Sequence, residues 1–259
     1  MAIHDLLAGR AAVSLRRLLH FARQELGVVV ALGVIAGGIA AFVEIADDMT
    51  EADGQAMDRA VLDWMRPTAD PADAIGPDWL QTAMTDITAL GGLSVLLLFA
   101  LVATGVLLIQ KKPFSAVMLA VSLAGGLLLS EGLKGVFERD RPPEIHRAVE
   151  TLNASFPSGH ALLSTVFYLT LGVMLERAFA RKRMKAYVLG SAVVIAMLVG
   201  VSRVYLAAHW ATDVLAGWAI GAAWAMACWL FAYLVERRAL RAGLRDQPRI
   251  VIEPPVTGE

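Results

Sequence analysis

The sequence predicts an all-α integral membrane protein, built as a bundle of six transmembrane helices. The first observation is composition: 57% of the 259 residues are hydrophobic and only 18% are charged, which is too apolar for an ordinary soluble domain of this length. The second is a series of six apolar stretches, each near the ~20 residues that a helix needs to cross a bilayer core. Helices are expected because a bilayer holds no water to satisfy exposed backbone groups.

The predicted spans have short connections, except for the loops after the first and third spans. They are residues 26–46, 89–109, 114–133, 161–180, 186–205 and 211–235. The first apolar run is longer than the ~7–15 residues of a signal-peptide core, so we predict a retained anchor. We place the six-helix domain at 26–241, after a cytoplasmic amphipathic tail over 1–25 and before a proline-containing tail over 242–259 that is predicted to be disordered.

Charge is segregated along the chain, which predicts the sidedness of the bundle. Basic residues gather before span one, between spans two and three, between four and five, and after span six: Arg10, Arg16, Arg17, Arg23, Lys111, Lys112, Arg181, Lys182, Arg183, Lys185, Arg237, Arg238 and Arg241. The acidic loop 47–88 carries ten carboxylates against two arginines. By the positive-inside rule both termini are cytoplasmic, and the loops after spans three and five face the outside together.

Other functional classes find little support in the composition. The formal net charge of −1 gives no indication of a nucleic-acid partner. The only cysteine, Cys228, lies in an apolar run without the spacing of a metal site, so we predict a packing role. No metal and no cofactor is expected, and no feature of the sequence fixes an oligomeric state.

The first polar segment follows span three. Lys134 and Arg141 are seven residues apart, so in a continuing helix they would share one face, about 10 Å apart along the axis. Both long side chains could then converge on one anion. The alternative is that they are snorkelling or loop charges. Pro142 and Pro143 are expected to end the helix.

The second segment, Phe156-Pro157-Ser158-Gly159-His160, opens span four. Ser158 is a good N-cap, and Gly159 allows an anion to approach the backbone. The free N–H groups and the dipole of a helix start favour negative charge there. The alternative is an ordinary helix start with an interfacial histidine.

The third segment joins spans five and six and contains Arg203, His209 and Asp213. His209 and Asp213 are four residues apart. If the chain is helical there, the carboxylate can accept one ring N–H of the imidazole and leave the other nitrogen free to attack an electrophile. The alternative is a His–Asp pair that only stabilises a helix end.

Together, the three segments resemble the signature of the type 2 phosphatidic acid phosphatase (PAP2) superfamily: Lys-x6-Arg-Pro, Pro-Ser-Gly-His and Ser-Arg-x5-His-x3-Asp. Every specified position is present. The topology agrees, because membrane members of that family have six spans with the motifs at the same three connections. The resemblance covers residues 85–235.

The resemblance implies a role for each motif residue. His209 would attack phosphorus to form a phosphohistidine, His160 would protonate the departing oxygen and later activate water, and Asp213 would orient His209. The phosphoryl oxygens would be bound by Lys134, Arg141, Ser158, Gly159 and Arg203.

The resemblance also implies a lipid phosphate as substrate. A site at the extracytoplasmic membrane boundary suits a lipid whose phosphorylated head group lies there, such as phosphatidate, phosphatidylglycerol phosphate, a lipid A phosphate or a polyprenyl diphosphate. We expect an undecaprenyl-diphosphate-like carrier in a bacterial inner membrane. Residues 57–65 are interpreted either as an interfacial helix that shapes lipid entry or as a plain surface helix. Glu131 either has a function or forms a local ion pair with Lys134.

Three other functions fit parts of the same pattern. A lipid phosphotransferase would differ only in the group that accepts the phosphoryl. Vanadium-dependent haloperoxidases share the three motifs, but those enzymes are soluble and six spans argue against that reading. A non-hydrolytic lipid-phosphate binder would have no need of intact His160, His209 and Asp213.

Overall fold

A computed structural model describes residues 26–67, 70, 73–149, 154–176 and 179–245. Over these ranges the chain forms α-helices, one short 3-10 turn and no strand, so the all-α prediction is confirmed. The last helix runs four residues past the predicted domain end at 241. The segments 1–25 and 246–259, on which the tail predictions fall, lie outside the described residues.

The helices follow one another with short connections, except for the longer loops that precede α3 and α6. They are α1 (Leu26–Asp48), α2 (Ala52–Met65), α3 (Asp78–Ala89), α4 (Leu93–Ile109), α5 (Pro113–Phe137), α6 (Gly159–Glu176), α7 (Lys182–Tyr205) and α8 (Ala211–Arg245), with a 3-10 turn at Glu144–His146. Five of them, α1, α5, α6, α7 and α8, are long and apolar enough to cross a membrane, and the pair α3–α4 passes the same test together.

The second predicted span is wrong as a continuous helix over 89–109. The chain breaks at 90–92, and α3 meets α4 at an angle of 49°. A Cβ on Gly91 would lie 2.3 Å from Val199 Cγ1 and 3.3 Å from the carbonyl oxygen of His160. The break therefore allows this backbone to pack closely against α6 and α7 beside a motif residue. α4 alone is a predominantly apolar helix of 17 residues, about 26 Å long.

α6 lies at the centre of the bundle and α1 at its outside. α6 packs against α5, α7 and α8, and its Leu162, Val166 and Phe167 are almost fully buried. Large apolar side chains face outward elsewhere, as with Leu101 and Ile109, which are 72% and 83% exposed. An apolar exterior suits lipid and not water, and the chain is a multi-pass membrane protein.

Some helix ends differ from the predictions. α5 ends at Phe137, because Glu138 is left-handed with φ 43° and ψ 32°, so Arg141 lies in a loop and not on a helix face shared with Lys134. α6 ends at Glu176 and not at 180, and α8 extends to Arg245 and not to 235. α8 begins at Ala211, in agreement with the predicted span 211–235, so His209 lies in the turn before the helix and not on a helix face shared with Asp213.

The acidic loop contributes ordered structure at the end of the bundle that holds the motifs. α2 turns Asp58 and Leu62 inward, where they are 2% and 8% exposed. Met57, Trp64 and Trp79 are exposed. These outward apolar side chains are compatible with both interpretations of the segment, which stay predictions.

Candidate active site

The three motif segments meet at one end of the bundle. The N–H of Ser158 donates to the carbonyl oxygen of Asp213 at 3.0 Å, which joins the second segment to the third. Arg141 Nη1 donates to the carbonyl oxygen of Ala208 at 2.7 Å, which joins the first segment to the third. Segments far apart in the sequence therefore share one site, as the topology predicted.

A tight turn after α7 holds His209. Ala207 adopts a left-handed φ of 50°, and the N–H groups of Ala208 and His209 donate to the carbonyl oxygen of Arg203 at 3.0 and 3.3 Å. Left-handed backbone is costly for alanine, and such strain is concentrated at functional sites. The turn ties two motif residues together and leaves His209 only 3% exposed.

The two ring nitrogens of His209 have different neighbours. Nδ1 lies 3.5 Å from Asp213 Oδ2, and Nε2 lies 3.1 Å from Arg141 Nη1. A guanidinium can only donate, so Nε2 accepts and the ring proton is assigned to Nδ1, on the side of the carboxylate. The carboxylate thus orients the imidazole without a shared helix, and the lone pair of Nε2 faces Arg141.

The surroundings of His209 favour its neutral form. Burial lowers the pKa of His209 to about 4, and the positive charges of Arg141 and Arg203 act in the same direction, against the opposing effect of Asp213. At neutral pH the imidazole is therefore unprotonated, which is the form that can act as a nucleophile.

Asp213 is fully buried and has a partner for each carboxylate oxygen. Oδ2 accepts from the Ser155 hydroxyl and, at 2.9 Å, from the N–H of Trp210. Oδ1 accepts from Arg139 Nη1, with which it forms an ion pair. Because both oxygens are engaged, the carboxylate cannot rotate away from His209 without losing hydrogen bonds.

Arg203 places a second guanidinium beside His209. Its side chain is 5% exposed, and Nη1 donates to Thr88 Oγ1 at 3.1 Å. Its buried Nε has no hydrogen-bond partner within the part of the chain that the structure describes. A buried donor without a partner is rare and unfavourable, so this nitrogen is available to an anion in the site.

Lys134 lies where α5 approaches the start of α6. A Cβ on Gly159 would be 3.3 Å from Lys134 Nζ and 3.3 Å from Ser130 Oγ, so only glycine leaves these groups undisturbed. Lys134 Nζ also forms an ion pair with Glu131 Oε1 at 2.8 Å. The structure therefore supports the second interpretation of Glu131, a local ion pair with Lys134.

The start of α6 is capped as predicted. The helix begins at Gly159, and the N–H of Ala161 is 3.5 Å from Ser158 Oγ, a long N-cap hydrogen bond. Ser158 is itself completely buried. The free N–H groups of this first turn point to the same region as the cations, which gives the site a second source of positive potential.

His160 lies in the first turn of α6, with Nε2 4.0 Å from where a Cβ on Gly92 would be. It is within electrostatic range of Arg203, His209 and Lys134. The helix break at 90–92 therefore forms one wall around His160, and all eight predicted site residues lie at the same end of the bundle.

An open pocket gives access to this region. Lys134 and Arg141 line it, together with Glu131, Gly135, Glu138, Arg139, Asp140, Arg147 and Ala154. Across the described ranges, no cluster of three or more His, Cys, Asp or Glu side chains is arranged to hold a metal ion.

Sequence reasoning missed several residues that build the site. Arg139 occupies an unspecified position of the first motif, and Ser155 precedes the second. Asp58 is one of ten carboxylates in its loop, and no spacing distinguishes it. Ser130, buried beside Lys134 and without a hydrogen-bond partner among the described residues, is four residues before a position that the motif does specify. Only the three-dimensional arrangement identifies these residues.

Known proteins are similar to this chain over the same segments. A sequence model of the PAP2 superfamily matches residues 115–237. Phosphatidylglycerophosphatase B of Bacillus subtilis is 36% identical over 149 residues, which are 55% of this chain and 70% of that protein. The chain belongs to the PAP2 superfamily. This confirms the predicted family and enzyme class, and the protein is a phosphoric ester hydrolase.

Further PAP2 proteins match at lower similarity. Undecaprenyl-diphosphatase of Sulfolobus acidocaldarius is 32% identical over 124 residues, 46% of this chain and 56% of that one. The crystal structure of a transmembrane PAP2-type phosphatidylglycerolphosphate phosphatase from Bacillus subtilis has a TM-score of 0.71 at 28% identity, covering 78% of this chain and 98% of that one. The crystal structure of Aquifex aeolicus LpxE, with a TM-score of 0.51 at 20% identity over 69% of this chain and 95% of that one, shares the fold.

Proposed function

We propose that this PAP2 protein hydrolyses a lipid phosphate through a phosphohistidine intermediate on His209, without a metal ion. The observation that carries the proposal is the placement of the His209 ring, with Nδ1 at Asp213 and the lone pair of Nε2 at Arg141. The residue roles that follow are those predicted from the motifs.

In the first half-reaction, Nε2 of His209 attacks phosphorus while the bond to the leaving oxygen breaks. Asp213 compensates the positive charge that develops on the imidazole. The negative charge of the bound phosphate favours a protonated His160, which gives its proton to the leaving oxygen, so that the lipid departs as an alcohol, or as a monophosphate if the substrate is a diphosphate. The product on the enzyme is N-phosphorylated His209.

In the second half-reaction, water attacks the phosphoryl group and the bond between phosphorus and nitrogen breaks. His160, now unprotonated, takes the proton of the attacking water. Inorganic phosphate leaves, and both histidines return to their starting states.

Three cations stabilise the phosphoryl group in both steps. Arg141 lies beside the attacking nitrogen, and Arg203 and Lys134 lie around it. Phosphoryl transfer depends on positioning and on charge stabilisation, which these cations and the start of α6 supply. The metal independence of the reaction is part of the proposal.

The substrate and the membrane side are proposed from the relatives and from the charge pattern. The Bacillus subtilis relative and the solved Bacillus subtilis structure are both named for phosphatidylglycerol phosphate, and the Sulfolobus acidocaldarius relative is named for undecaprenyl diphosphate. We place phosphatidylglycerol phosphate first and the expected undecaprenyl carrier second. The basic connections lie at the end of the bundle opposite the site, which supports a bacterial inner membrane with cytoplasmic termini and an extracytoplasmic site.

The test is phosphate release by the detergent-purified wild type and His209→Ala in excess EDTA. The substrates are phosphatidylglycerol phosphate, phosphatidate, undecaprenyl diphosphate and a soluble phosphate ester. His209→Ala should lose essentially all turnover while remaining folded, and His146→Ala, outside the site, serves as the matched histidine control. Alkaline quenching with labelled substrate should trap label on wild-type protein but not on His209→Ala.

Each outcome discriminates between functions. Full activity of His209→Ala overturns the phosphohistidine mechanism. Activity that disappears in EDTA overturns metal independence. Label that passes from the wild-type protein to a second lipid and not to water identifies a phosphotransferase.

A further inference from the structure

The carboxylate of Asp58 is buried at the end of the bundle that holds the site. Asp58 lies on α2, in the acidic loop to which no motif assigns a role, and its side chain is 2% exposed. Removing a carboxylate from water is strongly unfavourable unless charges and hydrogen bonds compensate it. Its partners therefore indicate what it does.

Both oxygens of Asp58 are engaged by residues next to Asp213. Oδ2 accepts from Arg139 Nη2 at 2.7 Å and from Thr212 Oγ1 at 2.6 Å, and Oδ1 accepts from the N–H of Thr212 at 3.1 Å. Arg139 uses its other terminal nitrogen, Nη1, to contact Asp213 Oδ1 and, at 2.7 Å, Thr212 Oγ1. The guanidinium of Arg139 thus bridges the buried carboxylates of Asp58 and Asp213. The hydroxyl of Thr212 contacts both Arg139 and Asp58.

We propose that Asp58 and Arg139 are positioning residues, which fix the carboxylate of Asp213 and through it the imidazole of His209. The inference rests on the proposed role of His209 as nucleophile. It gives the first extracytoplasmic loop a part in the reaction, because α2 supplies the last member of a chain that runs from His209 through Asp213 and Arg139 to Asp58.

The two carboxylate oxygens of Asp213 have different partners. Oδ2 faces His209, Ser155 and Trp210, while Oδ1 faces Arg139. Among the described residues, Arg139 is therefore the contact that stops the carboxylate from rotating on the Oδ1 side. Asp58 holds the guanidinium in place and balances its charge, so that Asp213 keeps its negative charge available to the imidazole.

Asp58 also fixes the start of the helix that carries Asp213. Thr212 is the second residue of α8, and the N–H groups of a first helical turn lack partners within the helix. Asp58 accepts one of them from outside the helix, where a negative charge is favoured by the dipole. The same carboxylate therefore sets both the position of α8 and the orientation of Asp213.

Arg139 differs from the phosphate-binding arginine of the first motif. Its two terminal nitrogens are occupied by carboxylates, and its side chain is 13% exposed. Its guanidinium also lies 5.8 Å from the centre of the Trp210 ring. Arg141 instead contacts the nucleophile itself. Loss of Arg139 should therefore change kcat, whereas loss of a phosphate ligand also changes KM.

The experiment compares Asp58→Asn with the wild type on phosphatidylglycerol phosphate micelles. We expect kcat to fall by about 10- to 100-fold, the range for residues that orient a functional histidine without contacting the substrate. KM should stay within about twofold of the wild-type value. Asp63→Asn, on the exposed side of the same helix, is the matched control and should keep the wild-type kcat. Thermal unfolding of each variant in detergent corrects the rates for the folded fraction.

A double-mutant cycle tests whether Asp58 acts through Asp213. If it does, adding Asp58→Asn to Asp213→Asn should slow turnover by less than about twofold. If the losses in turnover of the two single variants multiply in the double variant, Asp58 acts independently of Asp213 and the proposal is overturned. Arg139→Lys is the second variant, needed if Asp58→Asn does not fold: it keeps the charge but cannot bridge both carboxylates, so kcat should fall with KM unchanged.

The result also separates this inference from the proposed function. If His209→Ala is inactive but Asp58→Asn and Arg139→Lys both retain the wild-type kcat, the positioning proposal is wrong and the phosphohistidine proposal stands. If His209→Ala is fully active, the mechanism on which this inference rests is wrong.

Discussion

The imidazole of His209 combines deep burial with several charged neighbours. Asp213 faces it from α8, Arg141 from the loop after α5, Arg203 from α7 and His160 from α6. Burial is the main reason why a protonated imidazole is unfavourable here, and the two arginines act in the same direction against the opposing effect of Asp213. The arginines that would attract a phosphate therefore also favour the neutral ring that the proposed nucleophile needs.

The low pKa of His209 predicts an acid-dependent loss of stability. The folded pKa is about 4 and the unfolded value is ~6.5, so the unfolded chain takes up this proton first as the pH falls. The stability that the neutral ring contributes is present above pH 6.5 and is lost as the pH falls towards 4. The full loss amounts to about 3 kcal/mol.

Thermal unfolding in detergent at pH 7.5 and 4.5 measures this effect. The melting temperature of the wild type should fall more between these two values than that of His209→Gln, which has no ring to protonate. Other titrating groups are common to both proteins and cancel in the comparison. Equal decreases for the two proteins contradict a depressed pKa at His209.

At the scale of helices, the lengths of the apolar runs predict which segments form spans better than they predict where each helix begins and ends. The ends of α5 and α6 depend on a left-handed residue and on local loop contacts, which have weak sequence signals. The break at 90–92 coincides with the Gly91-Gly92 dipeptide, a turn signal, but the apolar run continues through it and only the contact of Gly91 with Val199 shows why the break is needed. Cap residues such as Ser158 could be predicted because their chemistry is local.

The junction of α5 with α6 makes a prediction at Gly159. Gly159→Ala places a methyl group 3.3 Å from both Lys134 Nζ and Ser130 Oγ, so the lysine must move and the approach of an anion to the backbone is obstructed. We expect kcat/KM for phosphatidylglycerol phosphate to fall by about tenfold or more, which corresponds to about 1.4 kcal/mol of lost transition-state stabilisation.

Gly132→Ala is the matched control, because a Cβ at Gly132 meets nothing within 4 Å. Its kcat/KM should match that of the wild type, and both variants should unfold near the wild-type temperature. Wild-type kinetics in Gly159→Ala mean that neither Lys134 nor the first turn of α6 needs this close approach.

For the whole molecule, the motif residues could be predicted and their supporting residues could not. Lys134, His160 and His209 lie in short patterns that are readable along the chain. The contacts of Asp58 with Arg139 and Thr212 join positions 81 and 154 residues apart, and no local pattern encodes such a pairing. The first loop therefore had no sequence signal, although its Asp58 carboxylate contacts the residues that surround the proposed catalytic Asp213.

The sidedness of the bundle is the last prediction, and it decides which leaflet supplies the substrate. The charge pattern places Glu144, near the site, outside and Arg183, between α6 and α7, inside; both side chains are exposed. In a Cys228→Ser background, Glu144→Cys should react with an impermeant maleimide on intact spheroplasts, whereas Arg183→Cys should react only after permeabilisation. The parent without cysteine controls for background labelling. The opposite pattern inverts the topology and places the site in the cytoplasm.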